Sequence, residues 1–122
     1  MKPIFVAILF LALSACTTSV RPGPDAFESA EAGIVAAQKA GGDEFAPVEM
    51  RFAREKLASA QKGMDKEKYE VAMYLVEQSE INSELAIEKA RAAKSRRRVA
   101  ELRKSNDELE NRLQETFGDE FE

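Results

Sequence analysis

No histidine and no tryptophan occur among the 122 residues, and there is a single cysteine. Without histidine the chain lacks the commonest metal ligand and the commonest general base. Carboxylate or lysine chemistry stays open in principle. No such group falls at a strand end or in a glycine-rich loop, however, so no catalytic residue and no metal ligand is assigned. An enzyme is not expected. A lone cysteine also excludes a disulfide framework within the chain. Between Lys66 and Glu115 there is neither glycine nor proline, so nothing there interrupts a helix. Nor is there an apolar run approaching the ~20 residues of a membrane-spanning helix. What the chain does have is charge: 33% of its residues are Asp, Glu, Lys or Arg, and the net charge is -4.

The one cysteine is placed informatively. Lys2 supplies a positive start, Ile4 to Leu13 an apolar stretch of about ten residues, and Ser14 and Ala15 the small residues a signal peptidase accepts. Leu13-Ser14-Ala15-Cys16 resembles the lipobox of bacterial lipoproteins. The resemblance implies cleavage between Ala15 and Cys16, a diacylglyceryl thioether on Cys16, and acylation of its new amino group. The covalent lipid on Cys16 is the only prosthetic group implied, and no dissociable cofactor is expected. Burial contributes about 0.8 kcal/mol per CH₂, so several acyl chains together anchor stably where one does not. In the lipoproteins this resembles, Asp at the next position signals retention in the inner membrane. Thr17 stands there instead, which points to the outer membrane, with the mature chain on the periplasmic face.

Thr17 to Pro24 holds two prolines and a glycine, a composition that favours extended chain. It reads as a tether of about 25 Å reach. Asp25 and Glu28 have the spacing of a capping box. Phe27, Ala30, Ile34 and Ala37 then mark one face of a first helix that ends at Gly41-Gly42. Pro47 suits the first turn of a second helix. Its stripe is Met50, Ala53, Leu57, Ala60 and Met64; Gly63 closes it, and Asp65 is placed to cap the next element.

The third helix is expected from Lys66 to about Glu115, some 75 Å if continuous. Tyr69, Ala72, Val76, Ser79, Ser83, Ala86, Ala90 and Ala93 form a seam of mostly small residues, widened by Leu75, Leu85 and Ile87. This half is expected to pack against both earlier helices, with short connections making successive helices antiparallel. Beyond it, Val99, Leu102, Asn106, Leu109 and Leu113 read as a-d-a-d-a of a heptad, either a distal coiled coil or a solvated helix end. The fold class is therefore all-α: two short helices packed as an antiparallel hairpin on one long helix. Residues 1–15 are the signal, 16–24 the lipidated tether, 25–95 an alanine-rich helical domain, and 96–122 a charged helical extension with an acidic tail.

Charge lies in blocks along the long helix. Lys89, Arg91, Lys94, Arg96, Arg97, Arg98, Arg103 and Lys104 come first, and a largely acidic segment follows from Asp107. The blocks keep the helix soluble and make i,i+4 pairs where they meet. The alternative is a strip for an anionic partner such as a phospholipid headgroup, a lipopolysaccharide core or an acidic protein. Nucleic acid is not expected outside the cytoplasm. Self-association is left open. With Val99 at a, an in-register parallel pair sets Arg91 against Arg96 of the second copy and Arg98 against Arg103, both like-charged. The anchor-free form is therefore expected as a monomer, or as an association that strengthens when salt screens the arginines.

Two family resemblances bear on this stretch of chain. Gly41-Gly42-Asp43-Glu44-Phe45 spells the signature of diguanylate cyclases, which implies a β-hairpin holding metal and nucleotide. No strand pattern flanks it here, and the letters are equally those of a helix stop followed by acids before the next helix. More of the chain is similar to an uncharacterised family of Gram-negative envelope lipoproteins, the domain of unknown function numbered forty-three ninety-eight. The features are Ala37, Ala40, Gly41 and Gly42, then Phe45-Ala46-Pro47, then Leu57 and Ala60, Asp65 with Tyr69, and Ala72, Ala86 and Ala90. This resemblance implies a helical envelope lipoprotein and offers no catalytic residues. The domain often precedes a peptidoglycan-binding domain, whose activity is not carried over to this chain. The expected role is a non-enzymatic structural or scaffold protein of the cell envelope. The alternative is an adaptor or regulatory cofactor that docks on an envelope protein partner.

Overall fold

The computed structural model describes residues 21–118; Ala15 and Cys16, with the signal and most of the tether, lie outside them. Four helices and no strand make up the described residues. After a 3-10 turn at Pro24–Phe27, the helices are α1 (Glu28–Ala40), α2 (Gly42–Phe45), α3 (Pro47–Asp65) and α4 (Tyr69–Phe117).

The ends of these helices follow from backbone chemistry more than from side-chain caps. Asp25 does not cap α1. Pro24 starts the 3-10 turn, Gly23 takes the position before it, and no side chain bonds to the free N–H groups. Proline's fixed φ thus sets the start, and the capping box expected from Asp25 and Glu28 does not form. Gly41 ends α1 with φ at 92°, its N–H donating to the carbonyls of Ala37 and Gln38. That left-handed terminus suits a residue without Cβ. Gly42–Phe45 then makes a single helical turn, so the letters of the cyclase signature lie on a helix and not on a hairpin. Ala46 (φ -145°, ψ 51°) breaks the helix just before Pro47, as the residue preceding proline commonly does. Asp65 is the last residue of α3 and caps nothing. The connection Lys66–Lys68 is closed by backbone bonds from Lys66 and Lys68 to the Gly63 carbonyl, at 3.2 and 2.9 Å. The long helix consequently begins at Tyr69, not Lys66.

The helices form an up-down-up bundle. Along α4, Ala72 meets Gly63, where an added Cβ would lie only 3.2 Å from the Ala72 Cβ. Farther along, Ser79 bonds to Ala53, and Lys89 reaches Glu49. So α3 runs antiparallel to α4. Ser29 hydrogen-bonds Glu80, Gly33 lies against Ser83, and Gly41 lies against Lys94. So α1 runs parallel to α4. Ala30, Ala60 and Val76 make one core cluster, with Phe27, Leu57 and Leu75 around it. Ala37, Ala46, Met50 and Ala86 make the other, with Ile34 and Ile87. Small side chains on all three helices let the axes approach closely, and the seam Ala72, Val76, Ser79, Ser83, Ala86 and Ala90 is buried throughout. Leu85 is not part of it; its side chain is 44% exposed on the opposite side of α4.

From Lys94 onward every described residue is exposed. The last turns of α4, Ser95 to Phe117, project about 35 Å beyond the bundle at 1.5 Å per residue. None of the described helices is long and apolar enough to cross a membrane.

Candidate interaction surface

The cations singled out in the sequence sit where α4 leaves the bundle. At about 100° per residue they spread around roughly two-thirds of the helix, leaving clear the side that carries Val99 and Leu102, as an open collar and not a single line. Lys89 turns inward and pairs with the Glu49 carboxylate, whose side chain is 12% exposed. That hydrogen bond, helped by one from Glu49's own backbone, holds Glu49 below the usual carboxylate range. Arg91 pairs with Glu88 at 2.7 Å. Lys94 Nζ lies 5.9 Å from the centroid of the Phe45 ring, over its face, a cation–π contact. Arg97 meets Glu101 at 3.1 Å and Glu44 at 3.9 Å, and Lys104 lies 3.8 Å from Glu108. Most of the collar is therefore already engaged within the chain. Among the described residues, Arg96, Arg98 and Arg103 have no ion pair; they flank Val99, Arg96 and Arg103 on one side and Arg98 on the other.

At the foot of the projecting helix, Glu44 and Phe45 of α2 face Lys94, Arg97, Arg98 and Leu102 across an open groove of about 790 Å³. Both signs of charge line it, so it offers no uniform field to an anion. At the other end of the bundle Arg21, Pro22, Gly23 and Pro24 lie beside Phe27 and Met64. The tether thus joins the bundle at the end remote from the projecting helix. Sequence reading missed two features of this surface: the helical turn Gly42–Phe45, which carries Glu44 and Phe45 to the collar, and the exposure of Leu85.

Residues 25–102 match the family described as a domain of unknown function, DUF4398. The chain belongs to that family. The matched span takes in the bundle and the first turns of the projecting helix, ending at Leu102. No curated protein and no solved structure shows significant similarity to the chain.

Proposed function

We propose that this DUF4398 protein is an outer-membrane lipoprotein, held through lipid on Cys16 and facing the periplasm, where it acts without catalysis as a spacer or scaffold of the envelope. The observation that carries the reading is the polarity of the molecule. The tether enters at one end of the bundle beside Met64, and a bare helix of about 35 Å leaves from the other. An anchor at Cys16 would set the bundle near the lipid and aim the rod away from it. The lipobox-like Leu13-Ser14-Ala15-Cys16 supports the anchor, and Thr17 in place of Asp supports the outer membrane.

Cys16→Ser tests the anchor, because no other residue can carry the thioether. Fractionation and intact mass should show an uncleaved or soluble form that lacks the lipid. An unchanged outer-membrane fraction with no loss of mass would falsify the assignment. Crosslinking in the periplasm separates scaffold from adaptor. Self-crosslinks alone fit a scaffold, whereas one stoichiometric envelope partner favours the regulatory role.

A further inference from the structure

Opposite its buried seam, α4 carries a second apolar line. Val71, Tyr74, Ile81, Leu85, Val99 and Leu102 are 53%, 58%, 48%, 44%, 47% and 55% exposed. All of them fall at a or d when Val99 is a, and Gln78, Glu88, Ala92 and Ser95 hold the a and d positions between them. The heptad that reads from Val99 thus continues back along the bundle with its middle layers polar or small. The flanking g edge is segregated by sign: Glu77 and Glu84 toward the start of the helix, Arg91 and Arg98 toward its end.

We propose that this face is covered by a second copy of the chain, lying antiparallel. For two lipid-held copies the tethers then leave from opposite ends, so the pair lies along the membrane, and the rod aimed away from the lipid belongs to the single copy. In a parallel pair g faces the next e, which sets Arg91 on Arg96 and Arg98 on Arg103 of the second copy. Reversing one copy brings g against g and e against e. With Val71 level with Leu102 of the second copy and Tyr74 level with its Val99, Glu84 faces Arg91 and Glu77 faces Arg98. Each contact occurs twice by symmetry. On the e edge, Leu75 meets Arg96 and Asn82 meets Lys89; the like-charged Lys68 and Arg103 meet only past the two ends of the overlap. Sliding by one heptad in either direction places Glu84 on Glu84 or Arg91 on Arg91 at the dyad. Glu88, at d beside the dyad, is 2.7 Å from Arg91, which thus lies between that carboxylate and Glu84 of the second copy. The charges of the g edge select both the orientation and the register.

The overlap runs from Val71 to Leu102, about 48 Å. Every contact falls inside the residues 25–102 that match the family. A strip that long and about one helix wide covers roughly 500 Å² per copy, or about 1,000 Å² in all, at the lower bound for a specific interface. The dimer is accordingly weak and salt-sensitive, loosening as salt rises. This reverses the sign expected from the distal heptads alone, which left out the acidic half of the g edge.

Sedimentation of the full chain in non-ionic detergent tests this. The unaltered chain should dimerise at low salt and dissociate at high salt. Arg98→Glu should weaken the dimer by about tenfold or more, the effect of roughly 1.4 kcal/mol, and Glu77→Arg/Arg98→Glu should restore it. Glu77 and Arg98 are exposed and outside the core, so the exchange leaves the fold intact. Orientation is read separately by oxidation, with the unaltered chain as the control for Cys16. Tyr74→Cys/Val99→Cys should give a crosslinked dimer that neither single variant gives. A monomer at every salt, tighter association of Arg98→Glu, or crosslinking by either single cysteine overturns the proposal.

Discussion

The Ser79 hydroxyl donates to the main-chain carbonyl of Ala53 at 2.8 Å, fully buried, tying α4 to α3 across 26 residues of sequence. Ser83 in turn donates to the Ser79 carbonyl at 3.0 Å. Serine serves this seam because it is nearly as small as alanine yet satisfies a buried polar atom from within. Ser79→Ala keeps the volume and removes one bond, so it should cost about 1 kcal/mol. Chemical denaturation with an unchanged m-value checks it.

Overpacking the seam should cost more. Ala86 lies fully buried against Ala37 and Met50, and Ala86→Leu should destabilise by about 1–3 kcal/mol. The control belongs at Ala100, exposed on the projecting helix, where leucine should change stability by no more than about 0.5 kcal/mol. Lys94, exposed by sequence pattern, is a poor control because its ammonium covers Phe45. Equal thermal shifts at Ala86 and Ala100 would mean that α4 does not pack on the other helices.

The joint between α1 and α2 depends on Gly41. At φ 92° an added Cβ would also lie 3.0 Å from Lys94 Nζ and 3.3 Å from Phe45 Cδ2. Gly41→Ala should lose about 1–2 kcal/mol through the left-handed backbone alone. Gly41→Asn should lose less, because asparagine tolerates that region better. Thermal midpoints ordered glycine, asparagine, alanine are the expected result.

Glu49 and Lys89 predict an acid limb. The Glu49 pKa is lowered in the folded chain, chiefly by its hydrogen bond with Lys89. A depressed carboxylate contributes stability that is fully present above its unfolded value, near 4.5. That contribution is lost as pH falls through the folded value below it. Lys89→Gln should flatten this part of the stability profile and move the Glu49 titration, followed by NMR of its carboxyl carbon, up toward 4.5.

The small-residue periodicity carried most of the fold: every buried position of α4 from Ala72 to Ala90 is readable as a three-and-four repeat. Helix ends were less legible. Asp25 and Asp65 have the chemistry of caps, but proline and backbone bonding at Gly63 set the boundaries instead. Leu85 was misplaced because α4 has two apolar faces, and spacing alone does not say which one a leucine between them joins. The pairings Lys89–Glu49 and Lys94–Phe45 depend on how far one helix slides along another, which no single helix's sequence records. The collar cations were all identifiable, as was the i,i+4 pair of Lys104 with Glu108. Arg103 and Asp107, with the same spacing, form no ion pair, and the reach of Lys89, Lys94 and Arg97 to other helices was not legible, for the same reason.

A core filled by alanine methyls has a thermodynamic signature of its own. Among the described residues, apart from Met50 and Val76, the fully buried apolar side chains are all alanine, with larger ones such as Leu57 and Ile87 only partly buried. Unfolding therefore uncovers much peptide backbone for the hydrocarbon it exposes. Apolar exposure raises the heat capacity and polar exposure lowers it, giving about 12–15 cal/mol/K per residue in ordinary domains. This chain should fall below that range by calorimetry. Its stability should then vary with temperature along a shallow arc, with cold and heat acting on it far more gently than on a leucine-rich bundle of the same length.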